Sequence, residues 1–336
     1  MIKFSFVGDI SLGEHYFSFG HGPKKHAEKN YLFKDVEQEL NKADYVIANL
    51  EGPISDKGMD KNDPEKMVFR ASPKIIEQLL KANINILNIA NNHILQHGED
   101  VFFDTIKLLE ENNIGIIGKN KQPALIVGGN SGEIAIFGCS DIEDNIYKHQ
   151  NLYQKVDNEF YDLLSDAVVQ HSQVMVIIHW GREDRHQPTE RQIEIENKLK
   201  SIGVRVVVGH HPHIFYPIKY MPDFFCAYSL GNFIFDLTWD NKLIKTGVLN
   251  LQFNPSLEIL SAEVVPVTIY NNGCTPKITG NPIEIQNGYF DLYKFKSAVR
   301  HLQLKKFLYF FTSLFKGNKS LKTTFMINKM KSKLNF

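Results

Sequence analysis

Five apolar segments of this chain each run into a side chain that can bind a divalent metal or handle a proton. Asp9 follows IKFSFVG, Asn49 and Glu51 close YVIANLE, and Asn91, Asn92 and His93 follow INILNIA. His179 closes VMVIIH, and His210, His211 and His213 follow VRVVVG. In GHHPH, residues 209–213, two imidazoles stand one residue apart and Pro212 stiffens the loop, so both can approach one point from the same side. Taken singly, each residue has a plainer reading. Asp9 suits a turn cap, Glu51 before Gly52-Pro53 suits a turn, the Asn91-Asn92 pair tolerates left-handed backbone, and His179 suits a buried, satisfied imidazole. Taken together they fall at the ends of successive strand-like runs, where parallel sheets gather their ligands. Mixed carboxylate, amide and imidazole donors suit Mn²⁺, Fe or Zn²⁺ better than Ca²⁺, which takes oxygen ligands, or a thiolate zinc. One or two such ions would polarise a bound oxygen and lower the pKa of bound water.

The segments that would hold these residues alternate between short β-branched runs and helical periodicity. IKFSFV, FKDVEQELNKA, YVIANL, SPKIIEQLLKAN, INILNIA and GEDVFFDTIKLLEENN give the βαβα rhythm of a layered α/β domain. The rhythm continues through IGIIG, ALIVGG, the hairpin strand EIAIFG, a helix around 157–171, VMVIIH, the helix PTERQIEIENKLKSIG and VRVVVG. Past residue 214 strands predominate, as in FFCAYS, TGVLNLQF and SAEVVPVTIY. One catalytic domain is expected over 1–270. NNGCTPKITGNP opens an expected linker over 271–292, and a basic amphipathic tail fills 293–336 with Lys and Arg throughout and no Asp or Glu.

Composition narrows the function classes. Lys+Arg and Asp+Glu are 38 each in 336 residues, so no whole-chain field argues for a nucleic-acid partner. Cys139, Cys226 and Cys274 are widely spaced and odd in number, which fits isolated thiols and a reducing, cytoplasmic setting. The opening MIKFSFVGD breaks at Asp9 before a secretory core of usual length forms. FLYFFTSLF, residues 307–315, is about half of the ~20 residues a membrane span needs, but such a segment can lie on a membrane surface. There is no GxSxG elbow, no GxxxxGK[ST] phosphate loop and no GxGxxG turn, which argues against serine-hydrolase and nucleotide-fold chemistry.

VGDISLG (7–13), ANLEGPI (48–54), ANNHILQHG (90–98), HWGRE with Pro188 and Gln192 after it, GHHPH (209–213) and YSLGNFIFD (228–236) occur in that order. As an ordered set over roughly residues 1–245 they resemble the bacterial capsule synthesis family of CapA-type proteins, associated with poly-γ-glutamate, within the calcineurin-like metallophosphoesterase superfamily. The resemblance implies a four-layer α-β-β-α sandwich with a dinuclear metal centre and a phosphorylated or polyanionic substrate. It further implies that Asp9 and His213 hold the first metal, that Asn92, His179 and His211 hold the second, and that Glu51 bridges. His93 would face the substrate as a proton donor, with Asn49, Asn91, Glu183, His210, Ser229 and Asn232 in supporting or substrate-facing positions.

Three departures qualify the comparison. Ser11 stands where the superfamily's Asp-x-His carries an imidazole, Glu51 replaces a bridging Asp as it does in the capsule family, and Gln96 stands where that family commonly has Asp. The competing functions are metal-dependent amide cleavage or transfer on a γ-glutamyl polymer, and a non-catalytic, membrane-associated assembly factor.

Overall fold

The computed structural model describes residues 1–129, 132–144, 146–147, 151–183, 185–295 and 302–334, so 296–301 and 335–336 of the expected tail lie outside the described residues. The first half contains β1 (Ile2–Ile10), α1 (Pro23–Ala27), α2 (Glu37–Leu40), β2 (Tyr45–Leu50), α3 (Ile76–Lys81), β3 (Ile84–Asn88), α4 (Glu99–Glu111) and β4 (Gly115–Ile117). Next come the hairpin of β5 (Leu125–Gly129) and β6 (Gly132–Ser140), then α5 (Asn158–Gln170), β7 (Gln173–His179), α6 (Glu190–Ile202) and β8 (Val206–His210). Strands then dominate, as the sequence predicts: β9 (Ile218–Met221), β10 (Phe224–Ala227), β11 (Asn232–Ile234), β12 (Lys245–Phe253) and β13 (Ile259–Tyr270). The chain closes with β14 (Thr275–Ile278), β15 (Ile283–Glu284), β16 (Gly288–Phe290), α7 (Leu302–Leu314) and α8 (Lys319–Leu334).

The strands form two sheets. One runs β14-β13-β12-β1-β2-β3-β4, with β11 beside β1 and β15 beside β13; the other runs β16-β9-β10-β8-β7-β6-β5. Side-chain alternation sorts each strand into two cores. Phe4, Phe6, Ile47 and Ile86 of the first sheet meet Ile134, Ile136, Met175, Ile177, Val206 and Val208 of the second in one apolar layer. Their neighbours face outward: Val46, Ala48 and Leu50 pack with Leu79, Phe102 and Ile106, whereas Val174, Val176, Ile178 and Val207 pack with Phe160, Leu164, Ile195 and Leu199. Three cores between two sheets and two helical layers make the four-layer α-β-β-α sandwich that the resemblance implies.

Residues 271–292 are not the expected linker. β14 and β15 extend the first sheet along β13, and β16 joins the second along β9. The Asn-Gly signal belongs instead to the turn between β13 and β14, where Asn271, Asn272 and Gly273 take φ of 52°, 56° and 86°. These residue types tolerate left-handed backbone and mark hairpins and boundaries alike. All three cysteines are buried and free.

Candidate metal centre

Parallel pairing of β1 with β2, of β2 with β3 and of β7 with β8 brings five strand ends to one side of the molecule. The register of β1 against β2 shifts between Phe6 and Asp9, a bulge that re-aims the strand end. Gly8 lets it pass the 229–231 turn, since a Cβ there would lie 2.0 Å from the Gly231 carbonyl oxygen. After β8 the loop doubles back with φ of 97° at His211 and 58° at His213. Left-handed backbone at two imidazole-bearing positions of one loop is strain of the kind that folds keep at working sites.

Asp9, Glu51 and His179 are wholly inaccessible to solvent, and Asn92, His211 and His213 nearly so. Their ligand atoms fall into overlapping groups, with every atom of a group within 4.8 Å of the others: Asp9, Glu51 and His213 form one, Glu51, His179 and His211 a second. Asn92 adjoins the second group, its Oδ1 lying 2.9 Å from His179 Nε2. Glu183, with His211 and His213, makes a third group on the exposed side. Glu51 Oε1 lies 3.6 Å from His213 Nε2 and 3.9 Å from His93 Nε2. That oxygen and His211 Nδ1 are buried with no hydrogen-bond partner among the described residues. Buried acceptors left unpaired cost about 1–3 kcal/mol each, so a site that retains them is shaped for something that binds there.

The supporting residues set directions. Asn49 Nδ2 donates to Asp9 Oδ1 at 2.9 Å and lies 3.4 Å from Glu51 Oε2 and 3.3 Å from His179 Nδ1. Asn91 Nδ2 donates to Asn49 Oδ1 (3.3 Å) and to the Leu50 carbonyl (2.8 Å). His210 Nδ1 meets Asp9 Oδ1 at 3.1 Å, and the His211 amide donates to Oδ2 at 3.2 Å. His213 Nδ1 sits 2.9 Å from Asn232 Oδ1, which leaves Nε2 facing the pocket. An imidazole held at one nitrogen presents the other as a metal ligand. The Ser229 hydroxyl accepts from the Gly231 amide at 3.2 Å and shapes the turn before Asn232.

Electrostatics follow from this packing. Burial alone would raise Asp9, but hydrogen bonds from His210 and His213 outweigh it and hold the carboxyl well below the usual range. Burial pushes Glu51 well above it, with His213 only partly opposing. Burial lowers His211 to about 4, reinforced by the neighbouring His213 charge, and lowers His179 further. Burial works against protonation of His213 as well, yet Glu51 and Asp9 raise it to about 10. His179 and His211 are thereby neutral donors, whereas the charged His213 and the raised Glu51 are groups that must give up protons when a cation binds beside them.

His93 differs from the ligand-bearing residues. Its ring lies 4.4 Å from that of Phe69 and stays partly accessible, and its Nδ1 has no hydrogen-bond partner among the described residues. Two neighbours escaped the sequence reading. Asn88 is fully buried and donates to Asn49 Oδ1 at 3.1 Å; the signal was an amide closing the otherwise apolar end of INILN. His15, between Phe17 and Phe69 with ring centroids 4.1 and 5.1 Å away, carries the pocket wall outward, and no spacing marked it.

Comparison with known proteins places this architecture. The chain is 27% identical over 286 residues to the PGA biosynthesis protein CapA of Bacillus subtilis (strain 168), covering 80% of this chain and 74% of that one. It is 25% identical over 316 residues to the capsule biosynthesis protein CapA of Bacillus anthracis, covering 87% and 73%. Among solved structures, a 5'-nucleotidase precursor from Thermus thermophilus aligns at a TM-score of 0.48 with 12% identity, over 82% of this chain but 55% of that one. The family of the bacterial capsule synthesis protein PGA_cap matches residues 3–237, and the chain belongs to that family.

Proposed function

We propose that this protein is a metal-dependent hydrolase of the phosphoesterase type that acts in the biosynthesis of a capsule or similar anionic polymer. The observation that carries the reading is Glu51: one buried carboxylate common to two groups of ligand atoms, with an oxygen that no protein donor satisfies among the described residues. Asp9 and His213 would hold one divalent ion, Asn92, His179 and His211 a second, and Glu51 both, with Mn²⁺, Fe or Zn²⁺ suiting these donors. When bound, the ions supply Lewis acidity toward a phosphoryl oxygen and toward water.

The chain's own residues do the rest. Asn49 and His210 hold Asp9, Asn232 fixes the tautomer of His213, and Glu183 stands at the open side where substrate enters. His93 gives a proton to the leaving oxygen as the P–O bond breaks. Burial and the His213 charge lower the free histidine to about 4, and a bound phosphate dianion would raise it toward the working range.

Amide cleavage or transfer on a γ-glutamyl polymer is the second reading. It is favoured by the relatives, one of which is named for PGA biosynthesis. The deciding experiment screens metal-loaded protein on phosphomonoesters, phosphodiesters and γ-glutamyl peptides, before and after chelation. Chelator-sensitive turnover of phosphoesters is expected; turnover of γ-glutamyl peptides alone selects the second reading, and no turnover on any class overturns both.

A further inference from the structure

We propose that α7 and α8 form a docking platform for an anionic lipid surface, independent of the chemistry at the metal pocket. Charge is distributed unevenly along the chain. Residues 293–336 hold eleven Lys and Arg and no Asp or Glu, so the tail carries +11 and residues 1–292 carry −11. An anionic surface therefore attracts one end of the molecule and repels the other, which selects an orientation. Among the described residues the tail makes one ion pair with the body, Lys305 Nζ to Asp240 Oδ2 at 2.8 Å; Lys306 lies over Trp239 and Lys322 is buried, whereas Lys316, Lys319, Lys329 and Lys331 are exposed.

The inner face of α7 is occupied. The Tyr309 hydroxyl donates to the Asp236 carbonyl at 3.0 Å, its ring meets Phe17 at 5.4 Å, and Phe310 meets Tyr16 at 5.7 Å. On α8, Leu321 and Phe325 are buried, and Lys322 Nζ donates to the Ser313 and Lys316 carbonyls at 2.7 and 2.8 Å, tying the two helices together. Helical spacing puts Leu304, Phe307, Leu308, Phe311 and Phe315 on the opposite stripe of α7. Phe307, Phe311 and Phe315 are 61%, 50% and 63% exposed, and they contact one another at 6.5 and 5.4 Å. Met326, Ile327 and Met330 add a second exposed stripe on α8, flanked by Lys329 and Lys331.

A row of aromatic side chains bordered by cations and by no acid is what an interfacial helix presents to headgroups and the acyl boundary. No helix among the described residues is long and apolar enough to cross a membrane, so this contact would be peripheral. The docked face of α7 rests on Phe17, which touches His15, then Phe69, then His93. Lipid held on the outer face would thus lie about one helix diameter, ~10 Å, from the wall of the pocket.

The test is flotation of the full chain with vesicles of phosphatidylcholine alone and of phosphatidylcholine with about 30% phosphatidylglycerol, with salt as a variable. Wild type should float with the anionic vesicles only. Replacing Phe307, Phe311 and Phe315 with Ser should weaken that binding about tenfold or more while melting temperature and metal content hold, because these rings point away from the body. Replacing Lys316, Lys319, Lys329 and Lys331 with Gln should weaken binding and flatten its salt dependence. Equal flotation of wild type and the triple variant overturns the proposal. So does absence of wild-type flotation, including the case where wild type is a dimer that the triple variant dissociates, which would assign the stripe to a second copy.

Discussion

Two buried polar clusters sit side by side in this protein, and they are solved in opposite ways. In the pocket of Asp9, Glu51, His179, His211 and His213, side chains from four strand ends converge and leave acceptors unpaired. Under the C-terminal helices, Glu14 is almost as buried, but its carboxylate takes backbone amides from Gly20 at 2.9 Å, Gly22 at 2.8 Å and Lys25 at 3.3 Å. Burial raises Glu14 and those three amides pull it back. The difference lies in the source of the partners. A carboxylate satisfied by the main chain holds a loop in place, whereas one facing other side chains with an oxygen left over is arranged for a ligand.

The contrast predicts its largest effects at these two carboxylates. Glu51→Ala should strip both ions and His211→Ala the one it shares with His179, each reducing turnover by about 10³-fold or more with the fold retained. Glu14→Ala should leave metal content intact but strand three amides, costing about 3 kcal/mol of stability. Elemental analysis paired with denaturant unfolding reads both; a Glu14→Ala protein that loses metal at wild-type stability would erase the distinction.

His93 offers a smaller effect with a sharper signature. His93→Ala should keep metal and fold while losing about 10² to 10⁴-fold on substrates with poor leaving groups, and nitrophenyl esters should be largely spared. The ratio of kcat/KM for the two substrate types reports this, and an equal loss on both would make the histidine structural or a ligand. Smaller again are the orienting residues: His210→Ala and Asn232→Ala should weaken metal affinity about 10- to 100-fold without abolishing it, as metal titration would show.

Asp236 blurs the comparison, because it lies under the tail yet has one oxygen without a hydrogen-bond partner among the described residues; its other oxygen accepts the His15 amide at 2.7 Å. Burial pushes it up to about 7. From pH 4 to 7 the unfolded chain ionises here while the folded chain stays protonated, so stability should fall as pH rises through that window and then level off. Asp236→Asn removes the effect, so its stability relative to wild type should rise by about 4 kcal/mol between pH 4 and pH 8. Parallel melts at the two pH values check it.

Much of the pocket was legible because a polar side chain ending a run of apolar residues stands out, and Asp9, Glu51, His179 and the GHHPH histidines all sit in that way. Asn88 carried the same signal at the close of INILN but was masked by the apolar Ile89 and Ala90 that follow it. The layered fold was legible from the succession of short apolar runs and helical periodicity; that alternate residues of β6, β7 and β8 join different cores was not, because those runs are apolar on both faces. The sheet edges were not. β14, β15 and β16 are two to four residues long and mostly exposed, so they carry no periodicity, and their turn residues read as a boundary. Glu14 and His15 lie in a loop held by local amides, and no spacing in the sequence announces that.

The most direct measurement is metal stoichiometry in a series of folded variants, because two ligand groups that share Glu51 make unequal predictions for their members. Wild type should bind two ions per chain, His179→Ala and Asp9→Ala should each retain about one, and Glu51→Ala should retain close to none. Wild-type stoichiometry in a folded Glu51→Ala protein would contradict the shared carboxylate and, with it, the centre built around it.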